Sequence, residues 1–168
     1  DRCKLVQHVD IVDDSLLFGE DYAFFTGASP SSIAYFAQYA QDIIERYPDK
    51  LGYVVEIAGN DGTLLKHFQD TAKRVLNIEP ALPPAQESER QGIPTLIKPF
   101  SLDTGLKLRR EGAATLIIAN NVVAHTDYLL DFLGGVSALL DADGIFVAEV
   151  QYLPHLLFNT AFDHLYHE

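Results

Sequence analysis

Tyr53-Val54-Val55-Glu56-Ile57-Ala58-Gly59-Asn60-Asp61-Gly62 reads as a buried strand running into a tight turn of small residues. Val54, Val55 and Ile57 are β-branched, as in a strand covered on both faces, while Ala58, Gly59 and Gly62 leave room for a close approach of backbone or ligand. Leu64, Leu65 and Phe68 then predict a helix, which makes the turn a strand-to-helix crossover at the carboxyl edge of a sheet. Open α/β sheets bind small molecules at that edge. An ordinary connection that uses Gly, Asn and Asp only as turn residues reads the same way locally, so the rest of the chain must decide.

Outward from this stretch the apolar pattern alternates between helical and strand periods. Ser29-Pro30-Ser31-Ser32 supplies a helix start, and Ile33, Phe36, Ala37, Ala40, Ile43, Ile44 and Tyr47 lie at helical spacing until Pro48. Residues 74–79 read as a second strand closed by Pro80, residues 93–97 as a short third, and residues 115–119 as a fourth. Helices are predicted over 102–110 and 128–140, and Asp141-Ala142-Asp143-Gly144 turns the chain into a fifth strand at 145–150. Short apolar strands separated by helices predict an α/β fold, a doubly wound, mostly parallel sheet with strand order 3-2-1-4-5. Residues 1–32, rich in acids, aromatics and turn formers without a sustained period, read as an arm or lid.

A chain of 168 residues that is 48% hydrophobic supports one well-cored domain. Its net charge of −12 offers no Lys/Arg surplus for displacing counterions, which argues against nucleic acid, although a single phosphorylated ligand stays compatible. Apolar runs such as 113–119 fall far short of a membrane span, and no basic stretch followed by an apolar segment opens the chain. The expectation is a soluble, cytoplasmic protein without a membrane partner. Cys3 is the lone cysteine, so no internal disulfide forms and a reducing compartment is expected.

A nucleoside on such a sheet needs a floor from the first turn and an acid at the end of the second strand for ribose hydroxyls. Glu79 stands at that end, roughly twenty residues past the turn, and reads either as the ribose acid or as a solvated strand-end charge. A dinucleotide turn wants Gly-x-Gly-x-x-Gly, which Ala58-Gly59-Asn60-Asp61-Gly62 does not supply, and Asp61 opposes a pyrophosphate. An acidic turn suits a ligand with a cationic end, such as the amino group and sulfonium of S-adenosylmethionine. Pro99-Phe100-Ser101 offers an apolar wall and a hydrogen-bonding group for an adenine, with Phe100 reading equally as core. Asn120 and Asn121 end the fourth strand, and His125 follows at the mouth of the next helix, either as a proton-moving group or as a bystander to capping by Thr126 or Asp127. Phe162-Asp163-His164-Leu165-Tyr166-His167-Glu168 reads as an acid–base cluster or as a solvated end.

Together, Glu56 to Gly62, Asn77-Ile78-Glu79-Pro80, Ala119-Asn120-Asn121-Val122-Val123-Ala124-His125 and the 162–168 stretch resemble the S-adenosylmethionine-dependent C-methyltransferases of deoxysugar biosynthesis, in order and in spacing. Cys3-Lys4-Leu5-Val6-Gln7 is similar to the end of that family's zinc module, and Asp21-Tyr22-Ala23-Phe24-Phe25 to the segment after it, so the resemblance covers essentially the whole chain. It implies a Rossmann-like class I methyltransferase fold and methylation of a carbon beside the ketone of a nucleotide-linked 4-keto sugar. It also implies a division into an arm (1–32) following a zinc module, a cofactor-binding domain (33–151) and the start of a carboxyl-terminal catalytic segment (152–168).

By the same resemblance Glu56, Ala58, Asn60 and Asp61 are cofactor-turn positions, Glu79 is the ribose acid and Asn120 neighbours the methionine end; Gly59, Pro80, Phe100 and Ser101 complete the expected cofactor-binding set. Tyr22, His125, Tyr166 and Glu168 would face the sugar as catalytic groups. Proton removal beside the ketone gives an enolate that attacks the sulfonium methyl, a step needing a base, donors for the enolate oxygen and tight positioning. Three departures stand out. Ala58 and Gly59 replace the family's usual Gly and Ser. The Tyr-His-Glu-His run stops at Glu168 without its last His, a candidate base. A single zinc-module cysteine does not make a four-ligand zinc site, so no metal is expected. These departures imply a stretch short of full catalytic competence. They keep open an N- or O-methyltransferase with the same cofactor floor, or a noncatalytic binding domain. The oligomeric state is not set by the sequence.

Overall fold

The quoted stretch does form a strand, β1 (Tyr53–Ile57), with every residue buried. The structure, a computed structural model, describes residue 18 and residues 21–160. Five strands make one sheet in the order 3-2-1-4-5: β1, β2 (Arg74–Ile78), β3 (Thr95–Leu96), β4 (Ala114–Asn120) and β5 (Leu140–Glu149). Every pairing is parallel, with Val55 opposite Leu76 on one side and Ile117 on the other. The order reverses between β1 and β4, so the crevice beyond their carboxyl ends is the place where a doubly wound sheet takes a ligand.

The alternation of side chains along β1 divides the core. Tyr53, Val55 and Ile57 pack with Leu108 of α3 (Leu102–Arg109) and with Phe132, Val136 and Leu139 of α4 (Leu129–Leu139). On the opposite face Val54 packs with Leu116, Ile118, and Ala40 and Ile43 of α1 (Pro30–Arg46). Pro30 opens α1 within the Ser29-Pro30-Ser31-Ser32 start expected from the sequence.

Several local readings change. The helix expected after the first turn is one turn of 3-10 helix, Leu65–Phe68. Leu64, Leu65 and Phe68 already fill the core with this one turn, and the polar residues from Gln69 onward have no apolar face with which to continue it. The third strand shrinks to two residues. A helix not anticipated from the sequence, α2 (Leu82–Arg90), joins β2 to β3; Pro83 and Pro84 look like breakers but sit in its first turn, where a missing N–H leaves nothing unpaired. β5 begins at Leu140 and takes in the stretch expected to be a turn, and a short α5 (Leu153–Phe158) follows. β5 closes its end of the sheet, paired to β4 alone.

Among the described residues no helix is long and apolar enough to cross a membrane, and no group of three or more His, Cys, Asp or Glu is placed to hold a metal ion. Tyr166, Glu168 and Cys3 lie outside the described residues.

Candidate functional site

A cavity of about 520 Å³ opens at the carboxyl ends of β1, β2 and β4. Ile57, Ala58, Ile78 and Pro80 form its floor, Phe100, Ser101 and Phe132 one wall, and His125 part of its mouth. Five of the residues expected from sequence thus share one cleft: Ala58, Pro80, Phe100, Ser101 and His125. Phe100 meets Phe132 edge to face with ring centroids 5.4 Å apart, so it serves as wall and core together. The Ser101 hydroxyl caps α3 by accepting from the Thr104 amide at 3.2 Å.

The turn that carries Gly59, Asn60 and Asp61 is built beneath and beside this cleft. Ala58 and Asn60 lie in the left-handed region at φ 54° and 52°. The Ala58 amide donates to the Ile78 carbonyl at 2.7 Å, which ties the turn to β2. Glu79 holds the turn from the other side: one carboxylate oxygen accepts from the Asn60 amide at 2.9 Å and the other from the Ala81 amide at 2.8 Å. Burial raises the Glu79 pKa and those two amides oppose the rise, with the charge of Asp61 adding to it. Asn77, an amide inside an apolar strand, donates to the Asn60 carbonyl and to the Ser88 hydroxyl, both at 3.0 Å. Its polarity in that strand was the signal by which it could have been found.

Asp61 does not face the cleft. The residue is 3% exposed, and its carboxylate accepts from the Gly27 amide at 2.7 Å and the Thr63 amide at 3.1 Å. Asn60 likewise turns to the arm, accepting from the Thr26 amide at 2.9 Å and donating to the Phe24 carbonyl at 3.1 Å. Tyr22 stands half-buried with its ring 5.7 Å from that of Phe18, which itself lines the cleft. Burial first, and the charge of Glu79 second, raise the Tyr22 pKa, so this phenol lies close to the ribose acid expected from the sequence.

Glu56 points to the α1 side of β1. It is buried, and that burial, then Glu79, then Asp61 hold its carboxyl well above the usual carboxylate range against one hydrogen bond from the Leu65 amide. Its Oε2 has no partner, and neither has the buried Nδ2 of Asn120 at the end of β4. The Asn120 amide is oriented by Tyr39, whose hydroxyl donates to Oδ1 at 3.2 Å. Tyr35, one turn earlier on α1, donates to Glu149 Oε2, and Asn121 donates to Glu149 Oε1 at 2.8 Å. The Glu149 bond pushes Tyr35 up to about 12, and burial with Glu149 and Glu56 pushes Tyr39 to about 12, so both phenols act as donors at neutral pH. This Tyr35–Tyr39–Glu149 cluster was not expected, although its i, i+4 tyrosines stand on one helical face.

Two features test whether the turn fits the expected cofactor. An unpartnered buried acceptor on β1 and an unpartnered buried donor on β4 match an amino acid's ammonium and carboxylate. Glu56, Asp61 and Glu79 are all buried, and none takes part in an ion pair among the described residues, a field that favours a cationic ligand.

No family model matches the chain. It is 32% identical to C-methyltransferase NovU of Streptomyces niveus, over 99% of this chain and 40% of that protein's length. In fold it is similar to an S-adenosylmethionine-dependent methyltransferase from Clostridium acetobutylicum (TM-score 0.59, 17% identity, 72% of this chain and 52% of that one). It is similar also to the sugar N-methyltransferase KedS8 from Streptoalloteichus (TM-score 0.58, 13% identity, 89% and 58%). At those identities the structural likenesses speak for the fold alone.

Proposed function

We propose that this chain, 32% identical over 99% of its length to a C-methyltransferase, supplies the cofactor-binding half of an enzyme that methylates a carbon beside the ketone of a nucleotide-linked 4-keto deoxysugar. The observation that carries the reading is the pair of buried, unpartnered groups, Glu56 Oε2 and Asn120 Nδ2, set at the ends of adjacent strands among carboxylates without cations.

Glu56 and Asn120 would hold the amino-acid end of S-adenosylmethionine, Glu79 the ribose, and Pro80, Phe100 and Ser101 the adenine. Bound there, the cofactor supplies an electrophilic methyl group on a cationic sulfur. The chain's own residues act on the sugar. His125 at the cleft mouth and Tyr22 beside Glu79 donate to or accept from the ketone region, while Tyr166 and Glu168 belong to the same set by resemblance. A carbon acid beside a ketone needs its proton removed and its enolate oxygen stabilised, so the groups at the mouth must include both a base and a donor. The Phe100–Phe132 wall excludes water from the side of the cleft that it covers.

Calorimetry with S-adenosylhomocysteine tests the cofactor half. Micromolar binding that weakens by about tenfold or more in Glu79→Ala is expected, since charge-assisted hydrogen bonds are lost; no heat with the unaltered chain would refute it. Incubation of the full-length enzyme with isotopically labelled cofactor and a nucleotide-linked 4-keto sugar tests the chemistry. The label should appear on carbon, and label on nitrogen or oxygen would overturn the C-methylation reading.

A further inference from the structure

The side chains of the first turn that look most like ligand groups are engaged elsewhere. Asn60 and Asp61 make three hydrogen bonds to the backbone of residues 24–27, across 34 to 36 positions of sequence: Thr26 N–H to Asn60 Oδ1, Gly27 N–H to Asp61 Oδ2, and Asn60 Nδ2–H to the Phe24 carbonyl. Gly27 is required by the closeness of this seat, because a Cβ there would stand 2.7 Å from Thr63 Oγ1 and 3.0 Å from Asp61 Oδ2. Packing contributes little. Phe24 is 61% exposed, and beneath Phe25, Gly27 and Ala28 a second cavity of about 290 Å³ separates the arm from Lys66 and Gln91. The arm is therefore held by oriented polar groups over an incompletely filled seat, and it carries Tyr22 and Phe18 to the cleft.

We infer that Asn60 and Asp61 are positioning residues: they clasp the arm to the cofactor turn and so fix Tyr22 and Phe18 over the sugar side of the cleft, rather than binding the cofactor themselves. A clasp of this kind links the two ligands. Whatever orders the turn orders the arm, and the sugar then meets a wall that the cofactor turn has set in place. The link to the sugar rests on the function proposed above; the clasp itself does not.

The test uses the full-length protein and two variants acting from opposite sides. Asp61→Asn weakens the clasp from the turn. Thr26→Pro weakens it from the arm and leaves the turn's chemistry intact, and it is compatible with the backbone because Phe25 is extended at ψ 123° and residue 26 opens a 3-10 turn. Hydrogen exchange of peptides covering residues 22–28 should accelerate by about tenfold in both, with β1 and β4 unchanged. In Thr26→Pro the affinity for S-adenosylhomocysteine should stay within about twofold while the KM for the nucleotide-linked keto sugar rises, by about tenfold for one lost positioning bond. Unchanged arm exchange in both variants would overturn the clasp, as would acceleration throughout the sheet, which would make the pair a general support of the fold. If S-adenosylhomocysteine fails to bind even the unaltered chain, the proposed function falls, and arm exchange still decides the clasp.

Discussion

Replacing Glu56 by Gln isolates the group on which the cofactor reading leans most. The buried carboxyl is raised well above its ordinary value of 4.5, so the folded chain keeps a proton that the unfolded chain releases. Between 4.5 and the raised value the native state binds more protons than the unfolded one, and stability falls as pH rises, by at most about 1.4 kcal/mol per pH unit for one such group. Below 4.5 both states carry the proton and the effect vanishes. Gln keeps the shape, retains an oxygen for the Leu65 amide and carries no charge. Glu56→Gln should therefore match the unaltered chain in acid and become progressively more stable than it above pH 4.5. Glu79 is present in both proteins, so the difference curve reports Glu56 together with its repulsion of Glu79. Urea unfolding at half-unit steps from pH 4.5 to 8 reads this out, provided the slope m is unchanged. The same variant should bind S-adenosylhomocysteine about tenfold more weakly, because an arriving ammonium favours ionisation of Glu56 and gains a charged acceptor that Gln cannot supply. A difference curve flat with pH, or a variant less stable at neutral pH, would refute the placement of an unpartnered carboxylate in this turn.

Gly59→Ala would set a Cβ 2.5 Å from Asn77 Oδ1 and 2.8 Å from Glu56 Cδ, and is expected to lower stability by about 1–3 kcal/mol, seen as a reduced Tm by calorimetry; an unchanged Tm would contradict the crowding. Tyr39→Phe removes the hydroxyl that orients Asn120, and should cost about 1 kcal/mol of S-adenosylhomocysteine affinity with little change in thermal unfolding. Equal affinity by titration would show that Asn120 does not contact the ligand.

The sheet was legible because its strands are short, apolar and β-branched, and because parallel pairing with right-handed crossovers leaves few arrangements. What failed was local. Leu64, Leu65 and Phe68 have helical spacing but no apolar face follows them beyond one turn, and Pro83-Pro84 carries a breaker signal that position in a first turn cancels. In the site, residue type located Glu79 and Phe100 correctly on the sheet edge, because strand ends fix where such groups emerge. Direction was not legible. Asp61 reads as a ligand acid from composition, and only its distance to the Gly27 amide shows that it faces the arm. Tyr35, Tyr39 and Glu149 lie 114 positions apart at their extremes, and no local pattern announces that α1 and the end of β5 converge.

The two margins of the sheet differ in kind. β3 contributes two residues, too few to template another strand, whereas β5 runs for ten with one side unpaired by any strand among the described residues. Edges of the first sort are self-protecting and edges of the second invite strand addition. Growth of this sheet, whether by further chain or by another molecule, is thus favoured at β5, which lies away from the first turn and carries Glu149. Any strand added there would come to lie beside the tyrosine–glutamate cluster and leave the floor of the cleft undisturbed.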